Sequence, residues 1–269
     1  MEHPLIYCNG DSYSDEHYHV NNNKYLINST YAHVVGKYLN GFTINNAMSG
    51  CCNRRIIRST VHDIIHQRKL NPSQKIIALI GLTFELRSEL WVDSESITNR
   101  KDSFSESATE SNFRTHQFSE QFLWRENLLN DIDIETINYY KLDNKFYKKF
   151  SEGRAYFFSP YAERINLLCD LTMLVALFEK LNIQFLIFQS PLAEKLESEY
   201  LKDFFKEDIN KDTRFFDFEN FSFCQWAEDQ KFQTIDDEFK PGISHYGPDA
   251  HEAFANKVLI PKLHETGQI

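Results

Sequence analysis

The chain alternates short, nearly continuous apolar runs with stretches in which apolar residues recur every three or four positions. Residues 4–8, with Leu5, Ile6, Tyr7 and Cys8 in succession, predict a short buried strand. Residues 24–39 predict a helix, with Asn21, Asn22 and Asn23 before it as N-cap side chains. Residues 42–46 predict another short strand. Over 53–67, Ile57, Val61, Ile64 and Ile65 fall at i, i+4, i+7 and i+8, one face of a helix. "KIIALIGL" at 75–82 and "IQFLIFQS" at 183–190 are apolar at almost every position, the pattern of central parallel strands covered on both faces. Ser159 and Pro160 open a long apolar helix running through Leu181, with proline where its missing N–H costs nothing. A helix over 192–206, a short strand over 214–218 and a closing helix over 248–264 complete the series.

Strand-helix alternation of this kind predicts an α/β fold: a doubly wound parallel sheet with right-handed crossovers, in one domain spanning 1–269. Residues 92–155 break the rhythm, being rich in Ser, Asn, charge and aromatics, and read as a helical insertion serving as a lid or subdomain. Its aromatic residues, Trp124, Tyr139, Tyr140, Phe146 and Tyr147, fit the small core of such a subdomain better than a sugar platform.

Charge narrows the partners. A formal net charge of −10 argues against an extended basic face for nucleic acid. No apolar run approaches the roughly 18 residues that span a bilayer, so no membrane is expected. The first residues lack the basic and apolar regions of a secretory leader. The five cysteines have no CxxC pair and no disulfide-like spacing, which fits a reduced, cytoplasmic setting. Neither GxGxxG nor GxxxxGK[ST] occurs, and no cofactor is expected. His17 and His19, beside Asp15 and Glu16, match no zinc spacing, and no metal is expected.

Chemistry concentrates where strands end. Gly10-Asp11-Ser12 follows the first strand, Ser49-Gly50-Cys51-Cys52-Asn53 the second, Gly81-Leu82-Thr83 closes the third, and "HYGPDAHEAFA" opens the final helix at His245. In an open parallel sheet this carboxyl edge is where ligands bind. A serine hydroxyl needs an adjacent base to become a nucleophile, and histidine titrates near neutrality. Glycine at 50 lets backbone approach a reacting group closely. Asp11 reads as a turn acceptor, His251 as a packing residue, and Arg54 and Arg58 as a solvated helix face.

The ordered set resembles the SGNH (GDSL-like) hydrolase superfamily. The resemblance runs from residue 4 to about 262, excluding the insertion. It implies a flavodoxin-like three-layer α/β/α sandwich. It further implies a serine-dependent esterase or O-deacetylase acting on a small acyl ester, such as one carried by a carbohydrate, without a cofactor. Ser12 would be the nucleophile and His245 the base, with Ser12, Gly50 and Thr83 forming the oxyanion hole. Asn53-Arg54-Arg55-Ile56 resembles the S-N-x-x-I run of some members, and "TFELRSELW" the T-x-x-x-R-x-E of divergent, often phage-borne ones, which makes Asn53 and Arg87 candidates for substrate binding; Arg87 with Glu85 or Glu89 reads equally as a surface ion pair.

Two departures stand out. Thr83 replaces the family's third-block asparagine, and Gly242 stands where the aspartate of Asp-x-x-His belongs, leaving Asp236, Asp237, Glu238 or a backbone carbonyl to orient His245. They open a reading of another class, an SGNH fold kept as a binding or assembly module. Acyl transfer is a further alternative to hydrolysis.

Overall fold

The computed structural model describes residues 3–20, 23–26, 29–48, 51–84, 160–191, 212–217, 220–235 and 244–269. Among these, four parallel strands form the central sheet: β1 (Leu5–Asn9), β4 (Phe42–Asn45), β5 (Ile76–Leu82) and β6 (Gln184–Gln189), in the order β4-β1-β5-β6. The chain runs outward from β1 to β4, then crosses back to lay β5 on the other side of β1. This is the flavodoxin-like order, and its switch point lies between the carboxyl ends of β1 and β5. Register there is tight, with Asn9 opposite Ile80 and Leu82 opposite Gln189.

Both faces of the sheet are covered, which is why its strands read as unbroken apolar runs. Ile6, Cys8, Ile77, Leu79, Leu186 and Phe188 point to one face. They meet α1 (Tyr31–Tyr38), α4 (Phe223–Asp229) and a closing segment of α5 (Pro248–Phe254), a π-helical turn (Ala255–Leu259) and α6 (Ile260–Glu265). Leu5, Tyr7, Ile76, Ala78, Ile80, Phe185 and Ile187 point to the other, against α2 (Asn53–Leu70) and α3 (Pro160–Lys180). Leu167, Leu171, Leu174 and Phe178 give α3 its inner stripe. The expected α/β/α sandwich is the architecture observed.

Local expectations fare unevenly. The helix expected over 24–39 begins only at Tyr31, and β3 (Asn23–Leu26) pairs antiparallel with β2 (His17–Val20) before it. Asparagine serves hairpin turns as readily as helix caps, and here pairing wins. The strand expected over 214–218 is a single parallel bridge, Ile187 with Phe215. A turn takes its place, Phe215 N–H donating to the Asp212 carbonyl at 3.0 Å. The inner face of α2 is rotated from the apolar reading: Thr60 and Asp63 are buried while Val61 is half-buried. The reason is a buried polar network. Tyr7 Oη donates to Asp63 Oδ2 at 2.8 Å, Asn46 Nδ2 to the same oxygen at 2.6 Å, and Asn9 Nδ2 to Thr60 Oγ1 at 2.9 Å. Burial and the neighbouring Asp63 push the Tyr7 phenol well above its ordinary range, so it stays a donor.

Among the described residues no helix is long and apolar enough to cross a membrane. The five cysteines are unbridged, four buried and Cys169 exposed. The 92–155 insertion and the 192–206 helix lie outside the described residues.

Candidate active site

The first site element is the turn leaving β1. Gly10 N–H donates to Asn9 Oδ1 at 2.9 Å, and the Ser14 and Asp15 amides both donate to the Asp11 carbonyl at 3.0 Å, forming one helical turn. A Cβ on Gly10 would sit 2.2 Å from Ser14 Oγ, so only glycine admits this turn. Asp11 is wholly buried; its Oδ1 accepts from Tyr13 N–H at 3.2 Å and its Oδ2 from the Thr83 hydroxyl. Its role is the turn acceptor read from the sequence. The turn is latched to its surroundings by Tyr31 Oη donating to Ser14 Oγ at 2.6 Å, by Asn45 Nδ2 donating to the Ser14 carbonyl at 2.8 Å, and by Met48 N–H donating to the Gly10 carbonyl at 3.0 Å. Ser12 rides on this framework, 7% exposed.

The second element is the approach to α5. Ile235 N–H donates to the His245 carbonyl at 2.9 Å, and Thr234 bridges Tyr246 antiparallel. Tyr246 is buried and packs edge-on against Phe223 of α4. Gly247 caps α5 and Pro248 starts it, so His245 hangs between two fixed points. Its Nε2 lies 2.7 Å from Ser12 Oγ. The Tyr13 ring lies flat on the imidazole, centroids 4.4 Å apart and planes 12° off parallel.

The structure assigns other duties to two residues expected at the site. Thr83 is 1% exposed, and its hydroxyl hydrogen is directed at Asp11 rather than toward an oxyanion. Asn53, expected at the substrate, has its amide wrapped on the Thr83 backbone: Nδ2 donates to Thr83 O at 2.9 Å and Oδ1 accepts from Thr83 N–H at 2.8 Å. It fastens the start of α2 to the tip of β5, satisfying both backbone groups of Thr83. Gly50, Arg87, Asp236 and Asp237 lie outside the described residues.

His251 is a packing residue, 1% exposed, with its ring against Tyr31 and Phe223. Burial, with His245 nearby, lowers its pKa to about 3, so it is neutral at any ordinary pH. Arg54 is exposed on α2. Sequence reasoning missed the Tyr13 stack; the only available signal was an aromatic residue directly after Ser12.

Chemically, the arrangement offers a hydroxyl in hydrogen-bond contact with an imidazole at a sheet switch point, on two independently anchored loops. Such a pair supports proton removal from the hydroxyl.

No family model matches this chain, and no curated protein matches it. Two solved structures align along nearly all of it. One, from Bacteroides fragilis, is described as a "putative acylhydrolase": 10% identity, 98% of this chain and 91% of that one covered, TM-score 0.35. The other, from Parabacteroides merdae, is described as a "putative GDSL-like lipase": 11% identity, 98% and 95% covered, TM-score 0.35.

Proposed function

We propose that this protein is a serine-dependent ester hydrolase acting on small acyl esters of a polar carrier such as a carbohydrate. The observation that carries the reading is the 2.7 Å contact between Ser12 Oγ and His245 Nε2, two residues at opposite ends of the chain.

The chemistry follows from that contact. Ser12 O–H donates to Nε2, so Nδ1 carries the ring hydrogen. As Oγ attacks the ester carbonyl carbon, its proton passes to Nε2 and the carbonyl pair moves onto oxygen. Backbone N–H groups of Ser12 and Gly50 are the donors for that oxyanion; Thr83 is not among them, since its hydroxyl serves Asp11. The imidazolium then protonates the leaving alkoxide, and the carrier departs as an alcohol. Water, deprotonated by the same His245, attacks the acyl-serine, and the carboxylic acid leaves as Ser12 regains its proton.

Labelling with a fluorophosphonate, followed by peptide mapping, tests this. The expected result is an adduct on Ser12 that is absent in Ser12→Ala and suppressed at least a hundredfold in His245→Ala. Folded wild-type protein that takes up no label would overturn the hydrolase reading and leave the cleft as a binding site.

A further inference from the structure

Tyr13 belongs to neither the nucleophile nor the base, yet it makes the flattest ring contact at the site. Its centroid lies 4.4 Å from that of His245 with the planes 12° apart, and it is 4% exposed, while His245 is half-buried. The ring is not free to wander. Tyr13 N–H donates to Asp11 Oδ1, and the flanking turn is closed by the Asp11 carbonyl. The residue that carries the hydroxyl to the imidazole therefore also carries, one position on, the surface on which the imidazole rests.

We propose that Tyr13 is a positioning residue of this site: its face holds the His245 ring in line with Ser12 and favours the imidazolium formed when Ser12 gives up its proton. This rests on the serine-hydrolase reading above. An aromatic face carries the negative part of the ring quadrupole and attracts a cation held within about 6 Å of its centroid. A neutral imidazole gains mainly dispersion from the same contact. The stack is thus stronger once the proton has moved from Ser12 Oγ to Nε2, which is the condition for a rate effect rather than a binding effect.

His251 of α5 lies near His245 but is held neutral by burial and brings no opposing charge. Asp11, on the Ser12 turn, accepts from Tyr13 N–H through Oδ1 and from the Thr83 hydroxyl through Oδ2. The interaction uses the ring face and not the phenol oxygen, so phenylalanine should serve as well as tyrosine.

The test is the rate of fluorophosphonate labelling of Ser12 against pH in wild type, Tyr13→Phe, Tyr13→Leu and a variant with pentafluorophenylalanine at 13. The last keeps the ring outline and reverses the charge distribution of its face, which separates electrostatics from packing. Circular dichroism checks each fold. Tyr13→Phe is expected within about twofold of wild type, and Tyr13→Leu slower by about 3- to 30-fold. The pentafluoro variant is expected to label more slowly than Tyr13→Phe, its rise with pH moved about half to one unit lower, because the imidazolium has lost its support. Equal rates and equal inflections in the phenylalanine and pentafluorophenylalanine proteins would overturn the role of Tyr13 while leaving the hydrolase reading intact. If Tyr13→Leu fails to fold, that pair still decides. Folded wild type that never labels would remove both proposals together.

Discussion

The Thr83 hydroxyl donates to Asp11 Oδ2 and so joins the tip of β5 to the turn that carries Ser12. Both residues are buried, Asp11 completely and Thr83 at 1% exposure. A buried carboxylate is tolerated when donors surround it, and removing one donor leaves the charge under-satisfied. Thr83→Val is therefore expected to destabilise the protein by about 1–3 kcal/mol, with a modest loss of Ser12 labelling. Thr83→Ser is expected to restore both. Urea unfolding and labelling rates measured together distinguish this from an oxyanion role. That role would show a loss of roughly a hundredfold or more in rate at unchanged stability.

Gly10 is the tightest point of the Ser12 turn. A methyl there would lie 2.2 Å from Ser14 Oγ, 2.7 Å from Ser14 Cβ and 3.0 Å from the Gly81 carbonyl. Ser14 cannot swing away freely, since its hydroxyl accepts from Tyr31 and its carbonyl from Asn45. Gly10→Ala must shift the turn, at a cost typical of overpacking, about 1–3 kcal/mol. Because Ser12 sits two residues on, labelling should fall more than tenfold even where the variant is folded. A Gly10→Ala protein that labels at the wild-type rate would show that the turn yields without moving the nucleophile.

What could be read in advance follows from what each contact requires. Continuous apolar runs mean strands covered on both faces, so the sheet and its layers were legible from "KIIALIGL" and "IQFLIFQS". Ser12 was legible at a strand end and His245 at the entrance to the closing helix; their 2.7 Å contact is a tertiary fact. The duties of Asn53 and Thr83 were hidden because a side chain that serves backbone looks, in sequence, like one that serves a ligand. The burial of Thr60 and Asp63 was hidden because their partners, Asn9 and Tyr7, lie on a strand far along the chain. The hairpin before α1 was misread because asparagine caps and turns share one alphabet.

The cysteines make a separate prediction about access. Cys8 is wholly buried beneath the Ser12 turn, and burial pushes its thiol up to about 12, far from the thiolate that reacts. Cys51, Cys52 and Cys224 are buried as well, while Cys169 is exposed on α3. Native protein treated with a maleimide at pH 7.5 should take one equivalent, mapped to Cys169, and five after unfolding. Rapid uptake at Cys51 or Cys52 in native protein would mean that the segment beside Gly50 opens in solution.

His251 links the site to acid stability. Its pKa is lowered from an ordinary 6.5 to about 3, chiefly because burial against Tyr31 and Phe223 penalises the charged ring, with His245 adding repulsion. Among the described residues its Nδ1 has no hydrogen-bond partner to offset that cost. The unfolded chain binds the proton more readily than the folded one. The contribution of His251 is therefore fully present above about pH 6.5 and is lost progressively as pH falls toward 3. The steepest loss from this one group is about 1.4 kcal/mol per pH unit. His251→Phe replaces the imidazole with a ring that cannot charge and needs no partner. Urea midpoints at pH 7, 5.5 and 4.5 should show wild type losing stability faster than the variant across that span. Parallel curves for the two proteins would mean that His251 is not held neutral, and that the acid sensitivity of this fold comes from its carboxylates.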